Sequence, residues 1–178
     1  MREARRERSK EKSVARIAPV AVADIDRLSA LAAEIWRRHY ADIISFAQIE
    51  YMLKLRYNPQ VLGEELQRND VWWDQLLVND RMTGFASCFL TGNAGEMKLD
   101  KLYVHYDHQR KGYGGMLLER ALAIARGHDC ATLMLAVNKH NRNAIAAYNK
   151  YGFRIAESVV KDIGGGFVMD DYIMRKVL

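Results

Sequence analysis

Gln109-Arg110-Lys111-Gly112-Tyr113-Gly114-Gly115 lies between a run that alternates like a strand, residues 96–106, and a run with helical character, residues 116–126. A loop entering a helix presents backbone N–H groups that have no partner inside the helix, and the helix dipole adds partial positive charge there. The glycines remove side chains that would keep a phosphate from that backbone. Arg110 and Lys111 add full charges. The ligand expected from this chemistry is a pyrophosphate. A Rossmann loop would need a third glycine where Leu117 stands, and a P-loop would need Gly-Lys-Ser/Thr at its end, which the segment lacks. The spacing Gln/Arg-x-x-Gly-x-Gly/Ala is met by Gln109, Gly112 and Gly114.

Outward from the loop, the chain reads as alternating elements. Before it, residues 13–18 form a first strand, and Asp24 is placed to cap a helix whose apolar face carries Ile25, Leu28, Leu31, Ala32, Ile35 and Trp36. Residues 45–55 and 59–68 read as short helices separated at Asn58-Pro59. Residues 71–78 and 84–90 read as strands joined by the turn Asn79-Asp80-Arg81, and in 96–106 Met97, Leu99, Lys101 and Tyr103 alternate with Lys98, Asp100, Leu102 and Val104. After the loop, 132–137 is a continuous apolar strand and 141–151 a helix stopped by Gly152. Strands 153–160 and 167–176 flank Gly164-Gly165-Gly166. The order predicts an α/β domain with a mixed, mostly antiparallel sheet of six to seven strands and flanking helices.

A second pattern lies downstream: Val137-Asn138, then Asn141, Ala144, Tyr148, Lys150, Gly152 and Phe153. Together the two patterns make the chain resemble the GCN5-related N-acetyltransferase (GNAT) superfamily. The first is similar to its acetyl-CoA pyrophosphate loop, and the second to its strand–helix segment ending Tyr-x-Lys-x-Gly-Phe. The resemblance implies a sheet split between its fourth and fifth strands, with the pantetheine arm of acetyl-CoA in the split. It implies that backbone groups of Leu102, Tyr103 and Val104 bond the arm and that the loop from Gln109 to Gly115, through Arg110, Lys111, Gly112, Tyr113 and Gly114, holds the pyrophosphate. Asn138 and Asn141 would serve the arm from the other side. Tyr148 is then the expected acid, a phenol that protonates the departing thiolate. For the base, the long strand offers Asp100 and Glu96. Asp100 is preferred, because polyamine-type relatives carry a carboxylate at a similar position.

Acceptor contacts are expected from Trp36 and Tyr40 after the first helix and from Asp170 and Asp171 beside the glycine hairpin, which is expected to cover the acceptor site. Acids there would attract a cationic amine. The expected activity is acetyl transfer to a primary amine by direct attack in a ternary complex, with a small amine such as a polyamine favoured. Protein N-termini or lysines, and a non-catalytic acyl-CoA sensor, are the alternatives.

Composition bounds the rest. At 178 residues and 49% hydrophobic, the chain is one ordinary domain with a real core. Its apolar runs fall short of the roughly 18–20 residues a bilayer needs, so no membrane partner is expected. Cys88 and Cys130 are too few for a disulfide scaffold, and His105 and His108 read as loop histidines, so no metal is expected. The net charge is +5, but residues 1–12 hold six basic and three acidic residues, leaving +2 for the remainder. That segment reads as a charged flexible tail on a single domain spanning 13–178. It lacks interleaved aromatics, so nucleic acid is not expected. Residues 17–23 imitate a secretory signal, but Pro19 breaks the apolar run. A cytoplasmic enzyme, able to form a homodimer, is the expectation.

Overall fold

The computed structural model describes residues 14–178. The charged segment 1–12 lies outside the described residues. The described elements run β1 (Ala15–Pro19), α1 (Ile25–His39), α2 (Phe46–Arg56), α3 (Pro59–Leu66), β2 (Val71–Val78), β3 (Arg81–Leu90), β4 (Glu96–Val104), α4 (Tyr113–Gly127), β5 (Thr132–Asn138), α5 (Arg142–Lys150), β6 (Arg154–Gly164) and β7 (Phe167–Val177).

Among these residues the strands form one seven-stranded sheet in the order β1-β2-β3-β4-β5-β7-β6. Neighbours are antiparallel except β4 and β5, which are parallel. The tight β2–β3 turn places Asn79 and Asp80 at φ 49° and 60°, the left-handed pair of a two-residue hairpin. Ser45 and Asn58 cap α2 and α3 by accepting from Gln48 N and Val61 N. Asp24 departs from its expected role. Its carboxylate caps no backbone N–H of α1; it accepts from the Ala21 N–H at 2.9 Å, from Gln75 Nε2 at 2.7 Å and from the Arg27 guanidinium in the first turn, bracing the chain before the helix.

Both sheet faces are covered. On one, α4 packs Leu117, Leu118, Ala121 and Ala125 against Leu76, Met97, Leu99, Leu133 and Leu135. On the other, α1–α3 bury Leu28, Ile35, Trp36, Ile49 and Leu62 with Trp73 and Phe85. Burying this apolar surface drives the fold.

Two irregularities of β4 make the site. The ladder to β3 pairs Cys88 with Leu99 and Ser87 with Lys101, so Asp100 is an extra, bulged residue. The bulge reverses the alternation expected across 96–104. Met97 and Leu99 join the α4 face, whereas Tyr103 packs with the α1–α3 face and Lys101 lies over the Trp73 ring there. The parallel ladder to β5 runs only from Glu96↔Thr132 to Leu99↔Leu135. Beyond Leu99 the two strands part, which is the split expected between the fourth and fifth strands.

Candidate active site

The split opens into a cleft of about 680 Å³. One wall is the free edge of β4. Beyond the bulge, His105 N donates to Thr83 O at 2.8 Å, toward β3, while Val104 O accepts from Gln109 Nε2 at 3.0 Å, from the other side. By strand alternation Leu102 and Val104 turn their backbone groups to the split, and Tyr103 turns its own to β3. The place expected for Tyr103's backbone therefore falls to its neighbours. Its side chain instead lies on the α1–α3 face, where its Oη is 3.1 Å from Tyr40 Oη.

At the end of this edge the chain turns into α4. Arg110 has φ 58° and Gly112 φ 85°, so successive N–H groups curl inward as a nest before the helix begins. Tyr113 is buried in the core, so only its backbone belongs to the loop. Gly114 would tolerate a Cβ, its nearest neighbour being Leu102 Cδ2 at 4.0 Å. Gly115 would not: a Cβ there would fall 2.1 Å from Tyr151 Oη. The Lys111 ammonium donates to Asp107 O at 2.7 Å, steadying the loop from outside. A diphosphate fits this cradle of N–H groups, and an extended amide-bearing arm fits the β4 edge that β5 leaves unpaired.

The opposite wall comes from β5 and α5. Asn138 and Asn141 are buried, and their amides are committed to the backbone and to α1. Asn138 Oδ1 accepts from His140 N at 2.9 Å. Asn141 Oδ1 caps α5 at Ala144 N, and its Nδ2 lies 3.0 Å from His39 Nε2. Tyr148, one helical face on, lines the cleft and stacks edge-on against Phe153 at 5.7 Å. Burial, and then the Tyr40 phenol nearby, push the Tyr148 phenol above its ordinary range, so it holds its proton.

The other end of the cleft, where the acceptor is expected, is framed by α1, α2, β4 and the β6–β7 hairpin. Trp36 and Tyr40 are nearly closed to solvent and stack at 4.4 Å, with Trp36 Nε1 3.2 Å from Tyr57 Oη. Burial pushes the Tyr40 phenol up to about 12. The glycine hairpin is seated on α2. Tyr51 Oη donates to Ile163 O at 2.8 Å, Gln48 Nε2 donates to Val168 O at 2.7 Å, and the Tyr51 and Phe167 rings pack at 5.3 Å. All three glycines have positive φ, and a Cβ on Gly164 or Gly165 would strike the Tyr51 ring or hydroxyl.

Asp100 is in a setting unlike that of a base. Its buried carboxylate accepts from Arg56 at 2.5 Å and Lys101 at 2.7 Å, with Lys98 Nζ 3.0 Å away. Burial opposes ionisation, but these three cations outweigh it and hold the group well below the usual carboxylate range. A carboxylate held so low gives little driving force for taking a proton near neutrality. Glu96, the other expected candidate, is bonded to Asn93, Thr91 and Arg175 and is likewise lowered. Asp170 is tied to Lys139. Asp171 differs: it lines the cleft, its Oδ1 is buried without a hydrogen-bond partner, and burial raises it above the usual carboxylate range, with Asp170 adding to the shift.

Residues that the sequence reading did not single out join the site. His39 lines the cleft, and burial lowers it toward the neutral imidazole. With Nε2 accepting from Asn141, its proton sits on Nδ1. Arg56 and Lys98 also line the cleft. Arg56 occupies the last turn of an ordinary helix and Lys98 an alternating strand, so neither carried a local signal. His105 and His108 lie in a separate hollow, where His105 Nε2 is 2.8 Å from Glu34 Oε1. Cys88 and Cys130 are buried thiols raised by that burial, Cys88 to about 12.

Comparison with known proteins agrees with this geometry. The profile of the acetyltransferase (GNAT) family matches residues 28–153. The spermidine N(1)-acetyltransferase of Thermoplasma acidophilum is 25% identical over 158 residues, 86% of this chain and 94% of that protein. A peptidyl-lysine N-acetyltransferase of Salmonella typhimurium is 30% identical over 131 residues, 73% of this chain and 80% of that one. Among solved structures, the PaiA N-acetyltransferase of T. acidophilum in complex with coenzyme A superposes with a TM-score of 0.80 at 25% identity, covering 93% of this chain and 99% of that one. With a split sheet, a glycine nest at the head of α4 and a phenol facing the gap, the chain belongs to the GNAT family and is an acetyl-CoA-dependent N-acetyltransferase.

Proposed function

We propose that the acceptor is a small primary amine, acetylated by direct attack in a ternary complex. The observation that carries this reading is the closed acceptor side. Two hydrogen bonds and a ring contact bolt the β6–β7 hairpin to α2, which supports an acceptor smaller than a peptide chain.

Backbone groups of Leu102 and Val104 and the N–H groups of 110–115 hold acetyl-CoA. Bound there, it supplies the acetyl group as a thioester whose C–S bond breaks as the new N–C bond forms. Asp171 Oδ1 faces the acceptor ammonium and takes its proton, passing it to solvent. Tyr148 Oη gives its proton to the departing sulfur and is reprotonated, through water, by the second proton that the nitrogen sheds as the amide forms. Trp36 and Tyr40 shape an apolar wall that excludes water. Asp100, neutralised by its cations, fixes the bulge that frees the β4 edge; the base role expected for it passes to Asp171.

Two acceptor classes are suggested by relatives. The Salmonella protein is named for peptidyl-lysine and the Thermoplasma protein for spermidine. The bolted hairpin disfavours the first. The polyamine expected from the sequence stays within the small-amine class. The expected homodimer belongs to the same proposal; the uncovered outer edge of β6, where Val160 is exposed, is its support. Thiol release from acetyl-CoA against small amines and lysine peptides tests the reading. Small amines support turnover and peptides do not; the reverse would replace it with a protein acceptor.

A further inference from the structure

The acceptor side carries more positive than negative charge. Arg56, Lys98, Lys101 and Lys161 line it against Asp100 and Asp171. Lys101 is shared with Glu65, outside the cleft, at 3.2 Å. Lys101 also donates to Asp100 at 2.7 Å, so with Glu65 counted the four cations Arg56, Lys98, Lys101 and Lys161 face the three carboxylates Glu65, Asp100 and Asp171. Lys161 has no ion pair among the described residues.

The cofactor does not account for these cations. Lys98 precedes Val104 by six strand residues, roughly 20 Å, and the diphosphate cradle lies beyond Val104 with Arg110 and Lys111 of its own. Asp100 takes Arg56, Lys98 and Lys101 as partners, but its single negative charge offsets only one of the three. Lys98 stands between the two acids: it contacts Asp100 Oδ1 at 3.0 Å and is near enough to Asp171 to favour its charged form. A polyamine would carry its second cation into this region and meet like charge. An amine bearing an anion at its far end would meet opposite charge.

We infer that the acceptor is a primary amine with a carboxylate at its far end, an amino acid or short amino carboxylate, whose ammonium faces Asp171 while its carboxylate lies against Lys98 and Arg56, with Lys161 at the mouth. Charge-assisted hydrogen bonds from these donors give such a carboxylate both affinity and orientation. This rests on the small-amine reading above and names its substrate class.

The test is steady-state thiol release with matched pairs of acceptors, each amino carboxylate beside the amine lacking its carboxylate, and with spermidine. Wild type favours the carboxylated member about tenfold or more in kcat/KM, the worth of one good charge-assisted contact. In Lys98→Met that ratio falls about tenfold. Lys161→Gln, which leaves the Asp100 bracing intact, lowers it about threefold. A preference for spermidine or for uncharged-tail amines, or a ratio unmoved in both variants, overturns the inference and leaves the transfer reading standing. If no amine supports thiol release, the transfer reading fails. Calorimetric binding of N-acetyl amino carboxylates to the CoA-loaded protein then decides the inference by itself. Binding weakened in Lys98→Met sustains it, and absence of binding removes it.

Discussion

The Asp100 carboxylate accepts a 2.5 Å hydrogen bond from Arg56, which joins the bulge of β4 to the last turn of α2. Lys98 and Lys101 complete the surround, so the bulged residue is pinned where β4 leaves β5. The split and the acceptor side therefore share one ion cluster.

Asp100→Asn is expected to act on stability before chemistry. It leaves three cations without their shared anion, a loss of about 3 kcal/mol at neutral pH. The folded-state pKa of Asp100 is depressed, so its stabilisation is present above the unfolded value near 3.9 and is lost as pH falls from there through the folded value. Denaturation across pH should show the gap between wild type and Asp100→Asn narrowing below about pH 4. Loss of the acid limb of the rate profile in Asp100→Asn would restore Asp100 as the base.

Asp171→Asn should do the opposite to stability. A raised folded-state pKa costs stability that sets in as pH rises above the unfolded value near 3.9 and is complete above the folded value. The variant is expected to melt higher than wild type at pH 7–8, with the difference closing toward pH 4. Its turnover should fall about a hundredfold, and the rise of kcat/KM with pH should disappear. An unchanged pH–rate profile would take Asp171 out of the proton transfer.

Tyr148→Phe removes one oxygen from a site already shielded from water. Turnover is expected to fall about 10²-fold or more, while the dissociation constant for acetyl-CoA changes less than about threefold. The two measured together separate loss of the acid from loss of binding. Wild-type turnover in the variant would remove Tyr148 from the mechanism.

Gly115→Ala pushes a methyl group into the Tyr151 hydroxyl, shifting α4 against α5. Acetyl-CoA binding should weaken about tenfold, and Tyr151→Phe, which vacates that space, should restore much of it. No rescue by the second substitution would show that the contact does not position the loop.

What was legible in the sequence was what local backbone chemistry enforces. Gly112 needs a positive φ at the head of α4, Asn141 caps α5 through Ala144, and Gly152 closes that helix at φ 89°. Each leaves a mark within a few residues, so the loop and the phenol-bearing helix could be read in order. The bulge left none. Met97, Leu99, Lys101 and Tyr103 alternate as a regular strand would, and only the pairing with Cys88 and Ser87 shows that Asp100 is extra. Assigning Asp100 as the base failed to anticipate its cations because Arg56 arrives from a helix 44 residues earlier. The seating of the glycine hairpin on Tyr51 is another long-range contact, spanning 112 residues, with nothing local to announce it.

We propose that the cleft between β4 and β5 transfers an acetyl group to a small amine. Thiol release from acetyl-CoA, followed with mass analysis of the amine, tests it most directly. The expected result is one equivalent of thiol per acetylated small amine, lost in Tyr148→Phe. Acetyl-CoA bound without amine-dependent thiol release, or acetyl groups found only on proteins, would contradict it.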